Sequence, residues 1–409
     1  MADPVDRRAA LALGGLGVGA LASAPLWAKG MGAQAMGAQP TVDLGLSEGT
    51  GQRPLTDAFP GKKGMILQRS RAPLLETPMA AFDGALQDDP VTPNDRFFVR
   101  WHYADIPLSV DAAAFRLRIG GAVKRAVSLS LAEIQAMPQV TVTAVNQCSG
   151  NSRGLFGPRV PGAQWGNGAM GNARWTGVRL RDLIARAGTA PGVVQVKCAG
   201  LDQPPGDAPH FAKSLALDHA EDDDVIVAYG MNGAALPLLN GFPLRLIVPG
   251  WYSTYWVKAL DSIELLTGPD TGFWMAKAYQ IPETEDAGVK PGATGFPTVP
   301  ISRMPPRAFF TRTTPQEARG IAMGGDAGVA KVEVSLDGGA HWQQAQLGPD
   351  HGPYSFRRWA MPLTGLARGP HELAVRTINT RGEGQKPAPI WNPGGYMRSS
   401  IETARVVVA

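Results

Sequence analysis

Apolar and polar positions alternate with a period of two through Phe115-Arg116-Leu117-Arg118-Ile119, ahead of Gly120-Gly121. This pattern predicts a half-buried strand closed by a turn. Phe97 to Trp101 is a short apolar strand candidate, and the β-branched run Val140 to Val145 predicts a strand that delivers Cys148 at its end. Val193 to Cys198, Asp224 to Tyr229 and Leu244 to Val248 predict further strands, the last closed by Pro249-Gly250. Helical spacing is confined to short stretches. Leu131, Ile134 and Met137 share a face after Ser130, and Leu180 to Ala187 reads as a second helix. Short helices and strands without a repeating βαβ rhythm predict an α+β fold rather than a doubly wound sheet.

The pattern changes at both ends. Thr41 to Thr77 is polar, contains proline and has no clear period, which predicts an extended arm over residues 36–76. The stretch Glu283 to Pro306, rich in proline and glycine, reads as a linker. Beyond it Val329 to Leu336 alternates strictly and turns at Asp337-Gly338-Gly339. Phe356 to Trp359, Leu373 to Thr377 and Arg405 to Val408 follow at strand-and-turn spacing, so residues 291–409 predict a β-sandwich after a domain over 77–290. At the other end Arg7-Arg8 precedes an apolar, Gly/Ala-rich stretch from Ala9 to Ala24, with small-residue sites at Ala22-Ser23-Ala24 and Ala33-Gln34-Ala35. That order predicts a twin-arginine export signal over residues 1–35 and a periplasmic mature protein. The run is too short and too glycine-rich to span a membrane comfortably, and no second run of spanning length follows.

Composition narrows the function classes. Of the 409 residues 44% are hydrophobic and 18% charged, enough for a sizeable core and too apolar for wholesale disorder. Fifty glycines and 35 prolines call for many turns. A net charge of +4 suits a small anionic substrate and is too weak to argue for nucleic acid. Two cysteines allow at most one disulfide.

Candidate chemistry gathers around Cys148, in Asn146-Gln147-Cys148-Ser149-Gly150-Asn151-Ser152-Arg153. A thiol at a strand's end, with a cation five residues on, is placed to ionise, and the thiolate is the form that attacks or ligates. On residue type alone a buried inert thiol is the default, and Cys198 keeps that reading. No cysteine, histidine or carboxylate partner stands at zinc-like spacing.

For Cys148 the surrounding motifs reverse the default. The chain resembles the molybdenum domain of the sulfite oxidase family from Phe97 to about Asn392. The resemblance is carried by Arg100-Trp101-His102, Gln147 to Asn151, Gly168 to Gly177, Met231-Asn232-Gly233, Gly241 to Arg245, Val248-Pro249-Gly250 and Trp256-Val257-Lys258. Val334 to Gly339 and Ala388 to Asn392 resemble the family's immunoglobulin-like dimerisation domain, and Leu238 to Pro243 with Trp251 to Trp256 resembles the exported bacterial sulfite dehydrogenases.

The resemblance implies a mononuclear molybdenum held by a molybdopterin dithiolene and by the Cys148 thiolate, soft donors suited to a redox-active metal. It implies Arg100 and Arg153 as substrate cations, Tyr279 as a hydroxyl donor, and Trp165 as a pocket wall. His102 would face the pterin or the pocket mouth, and Asp202, Asn240, Arg245 and Lys258 would hold the pterin and its phosphate. For His102 a purely structural role stays open. Asn240, Gly394 and Pro161 stand where the vertebrate enzymes carry a histidine, an arginine and a lysine, which makes the pocket less cationic. The implied activity is oxidation of sulfite to sulfate; the alternative on the same fold is an exported reductase of sulfoxides or other oxyanions. No Cys-x-x-Cys-His haem motif is present, so the implied electron acceptor is a separate c-type cytochrome, transient or bound as a haem subunit. A homodimer through the sandwich is the other implied assembly.

Overall fold

The structure, a computed structural model, describes residues 39–408. The export signal expected around Arg7-Arg8 lies outside the described residues. The first sheet is an antiparallel meander of β1 (Thr41–Asp43), β2 (Gln52–Thr56), β3 (Met65–Arg69), β4 (Leu74–Glu76) and β5 (Val99–Arg100). The segment expected to be an extended arm is therefore corrected to a folded layer. Its strands are three to five residues long, too short for a period to show. Even so, Met65 and Leu75 are fully buried in a cluster with Val99 and Trp101.

Two further sheets build the middle of the chain. One has the order β11 (Ala212–Ala216), β10 (Gln195–Gly200), β15 (Leu260–Leu266), β6 (Arg116–Gly121), β7 (Val127–Ser130), with β15 and β6 parallel and the other pairs antiparallel. The other has the order β13 (Ala234–Ala235), β12 (Ile226–Met231), β9 (Met170–Arg179), β8 (Val140–Gln147), and β14 (Arg245–Ile247) also pairs with β12. Their apolar faces share one core that includes Ile119, Trp175, Leu183, Val227, Leu246, Trp256 and Ile263.

Helices are few. Among the described residues α1 (Leu131–Gln135), α3 (Leu217–Ala220) and α4 (Phe273–Ala276) are single turns, and only α2 (Leu180–Ala187) reaches eight residues. The balance is thus more strongly sheet than the α+β expectation. The α2 boundaries match the sequence reading because Leu180, Leu183, Ile184 and Ala187 all face the core. The α1 turn is short enough to depend on its cap. Ser130 Oγ accepts the Glu133 amide at 3.2 Å while Glu133 Oε2 accepts the Ser130 amide at 2.8 Å, a reciprocal capping box. Ser130→Ala is expected to lower stability by about 1 kcal/mol, measured as a shift in the urea midpoint at constant slope.

The stretch Glu283 to Pro306, expected to form a linker, contains β17 (Thr298–Pro300), which pairs with β16 (Gln280–Pro282) just ahead of it. Two four-stranded antiparallel sheets follow. One runs β18 (Arg307–Thr313), β19 (Glu317–Met323), β23 (Arg357–Pro362), β22 (Gln346–Leu347); the other runs β21 (Gln343–Gln344), β20 (Val329–Ser335), β24 (Gly369–Asn379), β25 (Glu402–Val408). Ala308 and Trp359 from the first sheet and Val332, Leu373 and Val375 from the second pack into one cluster. Arg307, at the start of β18 and fully buried, joins these sheets to the loop after Cys148. Its Nη2 donates to Glu402 Oε1 at 2.8 Å and to Ser152 Oγ at 3.0 Å. Among the described residues no helix is long and apolar enough to cross a membrane.

Candidate active site

Cys148 follows β8 directly, and the pairing of Gln147 with Met170 closes the chain between them into a loop. The loop is held at several points. The Cys148 amide donates to the Ala169 carbonyl at 2.9 Å, the Ala169 amide donates to Asn151 Oδ1 at 2.9 Å, and the Asn151 amide returns to the Cys148 carbonyl at 3.0 Å. From β4 the buried Glu76 carboxylate accepts the amides of Gly166 and Gly168 at 3.1 and 2.9 Å. A Cβ at Gly168 would run into the Thr77 carbonyl, so only glycine lets this loop press against the end of β4.

Two cavities meet at Cys148. A narrow chamber with about 440 Å³ of empty space, open side included, is lined by Phe98, Leu239, Asn240, Arg245, Ser253, Thr254 and Lys258 among others, and a wider cleft of about 1410 Å³, likewise with its open side included, is lined by Arg153, Trp165, Trp274, Lys277, Gly394 and Tyr396 among others. Arg100, His102, Cys148 and Tyr279 line both. Cys148 itself is buried, with 6% of its surface exposed.

At this junction His102 Nε2 and the Tyr279 hydroxyl lie 2.6 Å apart, and the imidazole stacks on Phe211 with centroids at 3.9 Å. Burial, aided by Arg100, Lys258 and Lys213, holds the His102 pKa well below the usual imidazole value, so the ring is neutral. Burial also raises the Tyr279 pKa, so its phenol stays protonated and able to donate. Tyr279 sits at φ +57°, a left-handed backbone that an aromatic residue adopts only when its surroundings hold it there.

The chamber is cationic. Arg245 Nη1 donates to the Asn240 carbonyl at 3.0 Å and Nη2 to Asn146 Oδ1 at 2.9 Å, with the guanidinium 5.2 Å from the Trp175 ring centre. Burial lowers its pKa to about 9. Lys258 lies over the Trp101 ring at 4.5 Å; burial, with Arg245 beside it, lowers its pKa to about 7, while Asp202 pulls the other way. Lys62 donates to Asn240 Oδ1 at 2.6 Å and to the carbonyls of Asn94 and Phe97, and burial lowers its pKa to about 7 as well. Among the described residues the buried Arg100 Nη1, Asn146 Nδ2, Ser149 Oγ, Arg245 Nε and Thr254 Oγ1 have no protein partner.

Four of these residues, Arg100, Ser149, Arg245 and Thr254, line the chamber, and because buried donors without partners are costly, it fits an anionic, acceptor-rich group such as a phosphate-bearing cofactor. No cluster of three histidine, cysteine or carboxylate side chains exists among the described residues. A metal at Cys148 would need its other ligands from a non-protein group.

The structure brings Arg100, His102, Cys148 and Tyr279 to the junction, Asn240, Arg245 and Lys258 into the chamber, and Arg153 and Trp165 into the cleft. Asp202 lines neither cavity. It is buried and couples to Lys258 and Arg100 by charge, and burial raises its pKa. Cys198 is fully buried in β10 and unbridged, its thiol pushed up to about 12 by burial, an inert core residue as read from the sequence. Lys62, Ser149, Thr254 and Tyr396 escaped the sequence reading. Gly61-Lys62-Lys63-Gly64 has the look of a solvated turn, and nothing local marks which lysine is buried.

The lowered lysines make the cofactor-free protein sensitive to pH. Between about pH 7 and the ordinary lysine value of 10.5 the unfolded chain binds protons that folded Lys62 and Lys213 have released. Stability therefore rises with pH in that window and is lost as pH falls through about 7. Thermal melts of the cofactor-free protein are expected to show a higher Tm at pH 9 than at pH 7; a falling Tm would contradict the burial of these ammonium groups.

Comparisons with known proteins agree with this geometry. Residues 103–274 match the oxidoreductase molybdopterin-binding domain. Sulfite oxidase of Gallus gallus is 33% identical over 339 residues, 76% of this chain and 72% of that protein. The mitochondrial sulfite oxidase of Homo sapiens is 32% identical over 347 residues, 79% of this chain, which spans 63% of the human enzyme's length. The crystal structure of the sulfane dehydrogenase SoxCD from Paracoccus pantotrophus superposes with a TM-score of 0.70 over 82% of this chain and 84% of that one. At 24% identity it supports the fold alone.

Proposed function

Because the chain belongs to the sulfite oxidase family of molybdopterin-binding oxidoreductases, we propose that it oxidises sulfite to sulfate at the junction of the chamber and the cleft. Its cofactor is a molybdenum–pterin group, which when bound supplies two-electron oxygen-atom chemistry that no side chain provides. The observation that carries this reading is the position of Cys148, the one thiol shared by a narrow, donor-lined chamber and an open cationic cleft.

In this reading the chamber residues Arg245, Lys258 and Asn240 hold the pterin and its phosphate, Asp202 stands behind Lys258, and the Cys148 thiolate holds the metal. Arg100 and Arg153 bind the sulfite oxyanion and orient it, since guanidinium forks suit oxyanions. Tyr279 donates its hydroxyl toward the substrate oxygen, His102 fixes where that hydroxyl lies, and Trp165 keeps one wall of the cleft free of water. The net reaction converts sulfite and water to sulfate, two protons and two electrons. The electrons leave singly to a c-type cytochrome, a transient partner or a bound haem subunit. Export through Arg7-Arg8 to the periplasm, and pairing through an immunoglobulin-like sandwich, belong to the same proposal.

The test is steady-state turnover of the metal-loaded protein. Sulfite-dependent reduction of ferricytochrome c supports the reading. Turnover only of a sulfoxide, with reduced viologen as donor, would replace it with the reductase alternative.

A further inference from the structure

The turn Asn392–Met397, just ahead of β25, sets one aromatic ring between two polar groups of the cleft. The turn is rigidly made. Asn392, 2% exposed, accepts the Tyr396 amide on Oδ1 at 3.0 Å and donates from Nδ2 to the Tyr396 carbonyl at 2.9 Å. The Met397 amide donates to the Ser149 carbonyl at 3.3 Å, which ties the turn to the Cys148 loop. The Tyr396 ring stacks on Tyr279 with centroids 5.7 Å apart and planes at 17°, and the Arg153 guanidinium carbon lies 5.2 Å from its centre.

The same turn also grips Arg153 directly. Arg153 Nε donates to the Gly394 carbonyl at 2.9 Å, and Nη1 to the Ala163 carbonyl at 3.4 Å. Arg153 Nη2 makes no hydrogen bond among the described residues. Space for the ring depends on the glycine before it: a Cβ on Gly394 would run into the Tyr396 ring, and Gly394 is not in the left-handed backbone region. Gly395 is, at φ +55°, and its missing Cβ leaves room for the Arg153 stem.

We propose that Tyr396 is a positioning residue of the oxyanion cleft, its ring locking Arg153 so that Nη2 is left for a small sulfur oxyanion. The inference rests on the sulfite-oxidising reading and assigns within it the residue that sets affinity. A free arginine side chain has many rotamers, and ordering it on binding weakens the complex. A guanidinium already seated on a tyrosine face, with two of its nitrogens engaged by carbonyls, meets the anion preorganised. Tyr396 acts through Arg153 on binding, while the hydroxyl of Tyr279, on which it stacks, keeps its own contact with His102 at 2.6 Å, so loss of Tyr396 moves affinity more than the chemical step.

The experiment uses cofactor-loaded wild type, Tyr396→Ala, Tyr396→Phe and Gly394→Ala. Sulfite KM and kcat are measured with ferricyanide as acceptor, and sulfate affinity by calorimetry, which requires no turnover. Gly394→Ala keeps the carbonyl on Arg153 but displaces the ring, so it repeats the Tyr396→Ala test by a different route. Both are expected to raise the sulfite KM and the sulfate Kd about tenfold with kcat within about threefold, and Tyr396→Phe, which keeps the ring, is expected to restore most of the affinity. Unchanged KM and Kd in both variants, a phenylalanine variant as weak as the alanine one, a fall in kcat at constant KM, or no sulfate binding by the wild type would each overturn the proposal. If wild type binds sulfate but does not oxidise sulfite, the proposed reaction fails while the sulfate series still decides the role of Tyr396.

Discussion

Replacing Cys148 by serine is expected to leave a folded protein that has lost nearly all sulfite oxidation. The side chain is nearly isosteric, and the loop that carries it is fixed by backbone bonds from Cys148 to Ala169 and from Asn151 to Cys148 that the substitution does not touch. What changes is the donor atom. A serine hydroxyl is harder than a thiolate and barely ionises at neutral pH, so it is a poor ligand for a metal that favours soft sulfur. Changes one shell further out from a metal cost ten- to a hundredfold, so losing the ligand itself is expected to lower kcat by more than about a hundredfold. The check is sulfite turnover beside circular dichroism and a melting curve. A serine variant with wild-type turnover would remove Cys148 from the reaction.

Substitution of Arg100 by methionine is expected to lower kcat/KM for sulfite about 10²- to 10³-fold, the range found when one preorganised donor to a reacting anion is lost. Arg100 lines both cavities, and its Nη1 is buried without a protein partner among the described residues, so its hydrogen-bonding capacity is unspent within the protein. Methionine preserves much of the stem's packing while deleting the charge. With Arg100 gone, one of the groups that lower the His102 pKa is also gone, so the pH profile should shift toward a higher histidine pKa. Arg100→Lys should recover part of the loss, because an ammonium supplies charge without the fork. A methionine variant within about threefold of wild type would show that the oxyanion binds elsewhere.

Much of this site could be read along the chain, for identifiable reasons. Cys148, Arg100 and His102 sit at or just beyond strand ends, where β8 and β5 stop and local motifs are dense. Helix α2 was legible to its boundaries because its apolar face repeats without interruption. The first sheet was not, since its strands are short and their burial comes from partners distant in sequence, such as Trp101 and Leu239 around Met65. Lys62 was invisible for the same reason: its bond to Asn240 joins positions 178 residues apart. Tyr396 follows two glycines in what looks like a simple turn, and only the tertiary fold sets its ring against Arg153 and Tyr279. Asp202 shows the converse. Its place in the resemblance was evident, yet it lines neither cavity and acts on Lys258 through charge.

X-ray absorption at the molybdenum edge, comparing native protein with the Cys148→Ser variant, tests the metal assignment most directly. The prediction is molybdenum with a sulfur shell in the native protein and one fewer sulfur neighbour after the substitution. Identical sulfur shells in the two proteins, or native protein without molybdenum, would contradict it.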